Sequence, residues 1–282
     1  MNNNLLLCLK FDYCIMDEAS QISEPLAVGP ILLANKFVMI GDYYQLNPLV
    51  KSILAEKKGM GLSLFEKLCK KHPASATVLK KQYRMNEDIL ELSNSIIYHR
   101  VMTHGSQEVA KQSVVFPRDV NSMLTWLEEI KKRQVTFLKT DKVILSLKLK
   151  ERQRFKYKNF IEAAICAMII DNFKHCGVDS NAITIITPFL DQQILLKAHL
   201  SMYGVKQVLT IDKSQGIDCD IVIISCTKQT AEKGVLLRDL KRLNVAITRA
   251  KKKLILIGTE KYLKEIKPLD KIIEKLKAEG WE

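Results

Sequence analysis

Two adjacent carboxylates close a short apolar run near the start of the chain. Residues 11–21 read FDYCIMDEASQ, with Asp17 and Glu18 side by side. Such a pair can divide the work of phosphoryl transfer to water: one carboxylate holds Mg²⁺ through its water shell, and the other orients and deprotonates the attacking water. Adjacent residues at the carboxyl end of a strand suit this task, because ligands meet an α/β sheet there. The same pair also fits an ordinary helix start, where the helix dipole favours acids. A second apolar run, FVMIGDYYQLNP at 37–48, ends in Gly41 and Asp42, with Gln45 four residues after the glycine. Gln45 could hydrogen-bond a terminal phosphate, or simply belong to a turn capped by Asp42.

Further along, KQYRMN at 81–86 leads into a helix pattern with Asn86 as N-cap and Glu87 and Asp88 in its first turn. Gln82 and Arg84 then sit in the loop ahead of that helix, and the guanidinium can point at a ligand or at solvent. TIDKSQGID at 210–218 reads as the end of a strand and a turn containing Gly216, whose backbone can approach a phosphate or sugar; Thr210, Gln215 and Asp218 flank it. RDLKRLNVAITRA at 238–250 reads as a helix. On it Leu243, Ile247 and Ala250 share one face, and Arg242 and Arg249 another. Two guanidiniums in line suit the stabilisation of transferring phosphate charge, a role that can add about 10³–10⁵ in rate. Without context they read as an exposed basic stripe.

These residues need a scaffold. Runs rich in Ile, Val and Leu at 14–16, 37–40, 183–187, 208–211, 221–225 and 254–258 are apolar on both faces, as strands of a covered parallel sheet should be. Helix patterns at 160–173, 191–202 and 238–250 lie among them. The alternation predicts an α/β fold of parallel sheets with flanking helices. A Lys-rich helix ends at His72 and Pro73 follows, which predicts domains at 1–72 and 76–282, the first with only two strands and so only a partial sheet. The stretch 105–158 yields no clear pattern. Within it Lys148, Lys150, Arg152, Arg154, Lys156 and Lys158 occupy every second position. On a strand they would line one face, either as a phosphate-tracking surface or as a solvated edge.

Lys and Arg number 44 against 31 Asp and Glu, a net charge of +13. That excess points to an acidic partner, nucleic acid first, because each neutralised phosphate releases counterions. Seven cysteines form no C-x-x-C pair, so no zinc site or iron–sulfur cluster is expected. The apolar stub at 5–9 has no basic residues ahead of it and fails as a signal peptide, and no run approaches membrane-span length, so no membrane partner is expected.

Taken together, DEASQ, GDYYQLNP, QYRMN, TPFLDQ, TIDKSQGID and RLNVAITRAK resemble motifs II to VI of the Upf/Dna branch of superfamily 1 helicases, in order, over residues 11–258. FDYC ahead of the acids, QYRMNEDILELSN and the VAITRAK run are most similar to the eukaryotic DNA replication ATP-dependent helicase/nucleases, with nonsense-decay RNA helicases as the near alternative. The resemblance implies RecA-like (P-loop NTPase type) domains, the second complete and the first partial. It implies ATP and Mg²⁺ as cofactors and single-stranded DNA, or RNA, as partner. Asp17 would then coordinate Mg²⁺ and Glu18 activate water. Gln45, Arg84 and Arg249 would contact the γ-phosphate, and Arg242 would couple the two domains. Gln215 and Gly216 would form the nucleotide-facing turn, with Asp42, Gln82 and Asp218 in the same nucleotide-binding set. Thr187, Pro188 and Thr210 would touch the nucleic-acid strand. Action in the nucleus, or in the mitochondrion, would follow from such a role. The sequence departs from the family pattern at Asn47, Tyr43, Phe189 with Leu190, and Ile217, where Pro, His, a Tyr-Arg pair and Arg are usual.

A helicase grips the β- and γ-phosphates with G-x-x-x-x-G-K-[ST]. Of the eleven glycines here, none is followed by lysine. Charge-assisted hydrogen bonds are worth roughly 1.5–3 kcal/mol each, so about four of them amount to about 6–12 kcal/mol, against about 8 kcal/mol for micromolar binding. The expectation is a motor cut ahead of motif II, whose chain alone does not bind ATP tightly and which has no nuclease site. A binding module that grips nucleic acid without ATP turnover is the alternative reading.

Overall fold

A computed structural model describes residues 9–118, 120, 122–146, 157–227 and 239–281. The chain divides into two compact units, the first running to Leu79 and the second starting at Lys80. Residues 73–79 go with the first.

In the first unit, β1 (Phe11–Met16) and β2 (Ala34–Met39) pair in parallel, with Ile15 opposite Val38 and Met16 opposite Met39. Helix α1 (Glu24–Ile31) connects them; Pro25 lies in its first turn, where its missing N–H costs nothing. Helix α2 (Leu64–Lys71) is capped by Ser63, whose hydroxyl accepts the Glu66 N–H at 3.1 Å. Met16, Ala19 and Ala27 are buried, with Phe65 and Leu64 packed beside them. The two strands are not covered on both faces as their composition predicts. Tyr13 is 59% and Ile15 69% exposed, and Phe37 and Val38 are exposed too. With only two strands among the described residues of this unit, no further layer shields them.

The second unit is built on a five-stranded parallel sheet in the order β5-β9-β8-β6-β7. Its strands are β5 (Val135–Lys139), β6 (Ile183–Thr187), β7 (Gln207–Thr210), β8 (Cys219–Ser225) and β9 (Ala250–Gly258). A separate two-stranded ladder, β3 (Lys81–Gln82) with β4 (Thr103–His104), lies at its start. Here both faces are covered: Ile183, Ile185, Ile221, Ile223, Ile255 and Ile257 are buried on one, and Ile186, Val222, Ile224 and Leu254 on the other. The longer helices are α3 (Glu87–Ile96), α4 (Thr125–Lys132), α5 (Phe160–His175), α6 (Leu190–Leu200), α7 (Leu240–Ile247) and α8 (Lys267–Ala278). Asn86 caps α3 as expected, accepting the Ile89 N–H at 3.2 Å. Helix α8 turns Leu269, Ile272, Ile273 and Leu276 inward, at helical spacing.

Two expectations need correction. The stretch 105–158 contains a core strand, β5, whose Val135 pairs with Leu254 of β9. The helix expected over 238–250 spans Leu240–Ile247, and Ala250 already belongs to β9. Thr248 closes it by donating its hydroxyl to the Asn244 carbonyl at 2.8 Å, so Arg242 and Arg249 do not share a helix face. Of the alternating cations, only Lys158 falls within the described residues.

Candidate functional site

The four polar residues expected in the first unit gather at one edge of its sheet. Asp17 and Glu18 follow the last residue of β1, and Asp42 and Gln45 follow β2, its parallel neighbour. Two hydrogen bonds lock the strand ends: the Ile40 N–H donates to Met16 O at 2.8 Å and the Ala19 N–H to Ile40 O at 2.9 Å. Gly41 permits this closeness, because a Cβ there would lie 3.0 Å from Ser20 N and 3.3 Å from Ala19 N. Glu18 takes φ 49° and ψ 37°, a left-handed conformation that costs a non-glycine residue about 1–2 kcal/mol. Such strain is commonly stored at functional sites. The Asp17 carboxylate accepts the Glu18 N–H at 2.8 Å, and the Gln21 side chain donates to Glu18 Oε2 at 3.2 Å. Gln21 therefore belongs to this site; it stands in DEASQ but carries no weight by residue type alone. Asp42 accepts the Tyr44 N–H and the Gln45 side-chain N–H, both at 2.9 Å. The turn that Asp42 caps and the placement of Gln45 are thus one feature.

Both carboxylates of the pair are exposed. Exposed oxygen ligands suit a Mg²⁺ ion that keeps most of its waters. Among the described residues no group of three or more His, Cys, Asp or Glu side chains is placed to cage a metal.

In the second unit a different edge carries the cations. β8 and β9 begin side by side, with Cys219 opposite Ala250, so Asp218 and Arg249 precede the amino ends of two neighbouring strands. Arg84 reaches the same place: its Nη1 donates to Thr248 O at 3.3 Å and its Nε lies 3.6 Å from Asp218 Oδ2. Lys251, which sequence reasoning did not single out, lies 3.0 Å from Asp218 Oδ1. Partial burial of Asp218 works against ionisation, but the Lys251, Arg84 and Arg249 charges prevail and hold its carboxyl below the usual range.

The loop bearing Arg84 is fixed by amides. Gln82 Oε1 accepts the Arg84 and Met85 N–H groups, both at 2.8 Å, while its Nε2 donates to Met85 O at 2.7 Å. Asn86 donates from its backbone to Lys251 O at 2.9 Å and from its side chain to Lys252 O at 2.8 Å, attaching the loop to the start of β9. Gln82 thus shapes the loop, and Arg84 projects from it about one-third exposed. Tyr83 is 67% exposed, and its ring lies against Gly105 so closely that a methyl there would collide with it. It was also missed, although an exposed aromatic beside an arginine is a ready platform.

Arg249 is only 3% exposed. It donates to Val245 O at 2.9 Å, Ile217 O at 3.3 Å and Thr248 Oγ1 at 3.1 Å. Arg242 pairs with Asp212 at 2.8 Å and Asp239 at 3.6 Å. Gly216 has φ +78° with open space where a side chain would stand, and Gln215 beside it is half-buried. Thr187 and Thr210 lie opposite each other at the carboxyl ends of β6 and β7. Thr187 is fully buried and its hydroxyl has no hydrogen-bond partner; Pro188 is buried, and Thr210 is half-buried.

Comparison with known proteins bears on what this arrangement serves. A family model described as an AAA domain matches residues 60–261, and a second of the same description matches residues 2–53. The chain is 40% identical over 286 residues to the DNA replication ATP-dependent helicase/nuclease JHS1 of Arabidopsis thaliana, covering 99% of this chain and 21% of that protein. It is 37% identical to its counterpart dna2 in Schizosaccharomyces pombe, covering 96% and 20%, and 36% identical to DNA2 of Homo sapiens, covering 95% and 26%. The chain thus spans about a fifth to a quarter of the curated relatives it matches. Among solved structures, the arterivirus nonstructural protein 10 helicase superposes with a TM-score of 0.46 at 14% identity, covering 90% of this chain and 40% of that one. With helicase motifs carried on parallel sheets and an AAA-domain match over most of its length, the chain belongs to the superfamily 1 helicases, an ATP-dependent enzyme family with an α/β RecA-like fold.

Proposed function

We propose that this chain supplies ATP-hydrolysing and strand-gripping groups to a motor that translocates on single-stranded DNA in replication and repair. One observation carries the reading: Asp17 and Glu18 end one strand where Asp42 and Gln45 end its parallel neighbour, an array suited to a metal-bound phosphate and its attacking water. Asp17 would hold Mg²⁺, which would neutralise charge on the transferring phosphate. Glu18, held by Gln21, accepts the water proton, and Gln45 meets the γ-phosphate. Arg84 is exposed enough to reach phosphate charge directly. Arg249 must exchange its present carbonyl partners to do the same, and Arg242 is held within the second unit by the Asp212 and Asp239 pairs. Gly216 opens a turn for a sugar or phosphate, with Gln215 and Asp218 beside it. Tyr83 offers its open face to a base, since aromatic rings stack on any base. Thr187, Pro188 and Thr210 mark the edge at which a DNA strand passes.

The names of the relatives favour DNA over RNA and action in the nucleus. The chain has no G-x-x-x-x-G-K-[ST] sequence, so alone it binds ATP weakly. The test is oligonucleotide binding by the purified chain, alongside ATPase assays with Glu18→Gln as control. Binding that weakens with salt, with DNA the better competitor over RNA, and turnover at background level is the expected result. No binding even at low salt would sink the strand-gripping part. Turnover abolished by Glu18→Gln would sink the claim of weak ATP binding.

A further inference from the structure

The second unit buries a carboxylate that the ATPase groups do not use. Glu162, in the first turn of α5, is fully buried. Its Oε1 accepts the Asn159 side-chain N–H at 2.9 Å, and its Oε2 accepts the Ser225 hydroxyl at 2.6 Å and the Thr227 backbone N–H at 2.9 Å. Gln192, in the first turn of α6, completes the cluster. It donates to Ser225 Oγ and to Asn159 O, both at 3.1 Å, and accepts the Asn159 N–H at 2.7 Å. A buried polar cluster so satisfied is rigid, because breaking any bond strands a polar group away from water.

Its position gives it a task. β8 pairs with β6 as far as Ile224 opposite Ile186, so Ser225 stands beside Thr187 at the carboxyl edge. Tyr157 packs its ring on Phe189, with centroids 5.0 Å apart, next to Pro188. Thr227 is held at φ 58°, a conformation costly for a β-branched residue, and the Glu162 bond to its N–H fixes it there. The alternating cations of 148–158 end one residue before Asn159 in the sequence.

We infer that Glu162 is a positioning residue whose buried carboxylate ties the end of β8 to the starts of α5 and α6, setting residues 157–159 and 225–227 along the edge that grips the DNA strand. This rests on the proposed function for the identity of that edge. Only a carboxylate serves, because all three partners donate. A glutamine would direct its NH₂ at Asn159 Nδ2 or at the Thr227 N–H, and Asn159 cannot turn over while its Oδ1 accepts the Glu162 N–H at 3.1 Å.

The test compares the full chain with its Glu162→Gln variant by residue-level amide hydrogen exchange and by binding of a (dT)₂₀ oligonucleotide. Exchange at the Asn159 and Thr227 amides should quicken at least about tenfold, while Ile185 and Ile255 keep their protection. Affinity for the oligonucleotide should fall about tenfold. Faster exchange across the whole sheet, or at neither amide, overturns the inference, as does altered exchange with unchanged affinity. If Glu162→Gln does not fold, Ser225→Ala removes one donor and should give the same pattern at smaller size. A wild-type chain that binds no oligonucleotide defeats the proposed function instead, and the exchange data still decide whether Glu162 positions these residues.

Discussion

In the first unit, Ile15 and Val38 stand 69% and 47% exposed on a two-stranded sheet; in the second, Ile223 and Ile255, on strands of the same character, are wholly buried. The candidate groups differ as well. The first unit gathers carboxylates and amides at the carboxyl edge of its strands, whereas the second sets Arg84, Arg249 and Lys251 around Asp218 at the amino edge of its own. Apolar composition therefore identifies a strand but does not tell whether anything covers it. The first set lies at the edge where ligands commonly meet an α/β sheet, and the second lies at the opposite end of its strands.

Core substitutions should separate the units most. Ile223→Ala should destabilise the second unit by about 2–5 kcal/mol, as large-to-small changes in a packed core do. Ile15→Ala should stay within about 0.5 kcal/mol, as exposed changes do. Chemical denaturation of both variants checks this, and equal costs would break the comparison.

The two arginines should divide next. Arg249→Ala leaves the Val245 and Ile217 carbonyls short of a donor, and each unsatisfied buried group costs about 1–3 kcal/mol. Arg84→Ala removes a partly exposed ion pair, worth about 0–1 kcal/mol, and one long hydrogen bond to Thr248 O. Thermal melts should rank them so. A melt lowered more by Arg84→Ala would mean that Arg84 is the structural arginine of the two.

Acidity sharpens the contrast in a different way. Burial raises Glu162 from 4.5 to about 7, so the folded state holds the extra proton across that window and stability falls as pH rises through it. Burial lowers Lys253 from 10.5 to about 7 even though its ammonium caps α4 by donating to Ile130 O at 2.7 Å and to Arg133 O. There the unfolded state holds the extra proton, and stability rises with pH from about 7 towards 10.5. The two together put a minimum near neutrality. Denaturation midpoints measured from pH 5 to 10 should trace it, and Glu162→Gln with Lys253→Met should flatten it. A maximum at pH 7 that survives both substitutions would refute the assignment.

The smallest effects concern two glycines. Gly41→Ala presses on the backbone of Ala19 and Ser20 and should cost about 1–3 kcal/mol, as overpacking does. Gly216→Ala meets open space at φ +78° and should cost only the left-handed strain, about 1 kcal/mol. Paired melts compare them, and a larger loss at Gly216 would show that the turn is not open.

Much of this was legible in the chain itself. Residues 183–187 are apolar throughout and form β6 as read, and Asn86 caps α3 because the residue types that favour an N-cap were in place. β5 escaped because VTFLK is short and sits among charged residues, with its burial supplied by β9 from more than a hundred residues away. The expected placement of Arg249 on a helix failed for a similar reason. Periodicity continued through TRA, but the helix stops at Ile247 and Ala250 pairs with Cys219, which leaves Thr248 and Arg249 in the turn between helix and sheet. The motif residues were found by type and order. Gln21 and Lys251 became evident as partners of Glu18 and Asp218 only once distances were known, and Tyr83 only by its exposure.

Strand β8 has seven residues, so it runs about 23 Å at about 3.3 Å per residue. Asp218 adjoins its beginning and Thr227 lies just beyond its end, with β6 and β9 hydrogen-bonded along its sides. Pairing on both sides holds β8 straight over Ile221–Ile224, while the register shift between Cys219 and Ile221 interrupts the ladder next to Asp218. Within the second unit the strand therefore sets the span between the Asp218 cluster and Thr227, with its one irregularity at the Asp218 end.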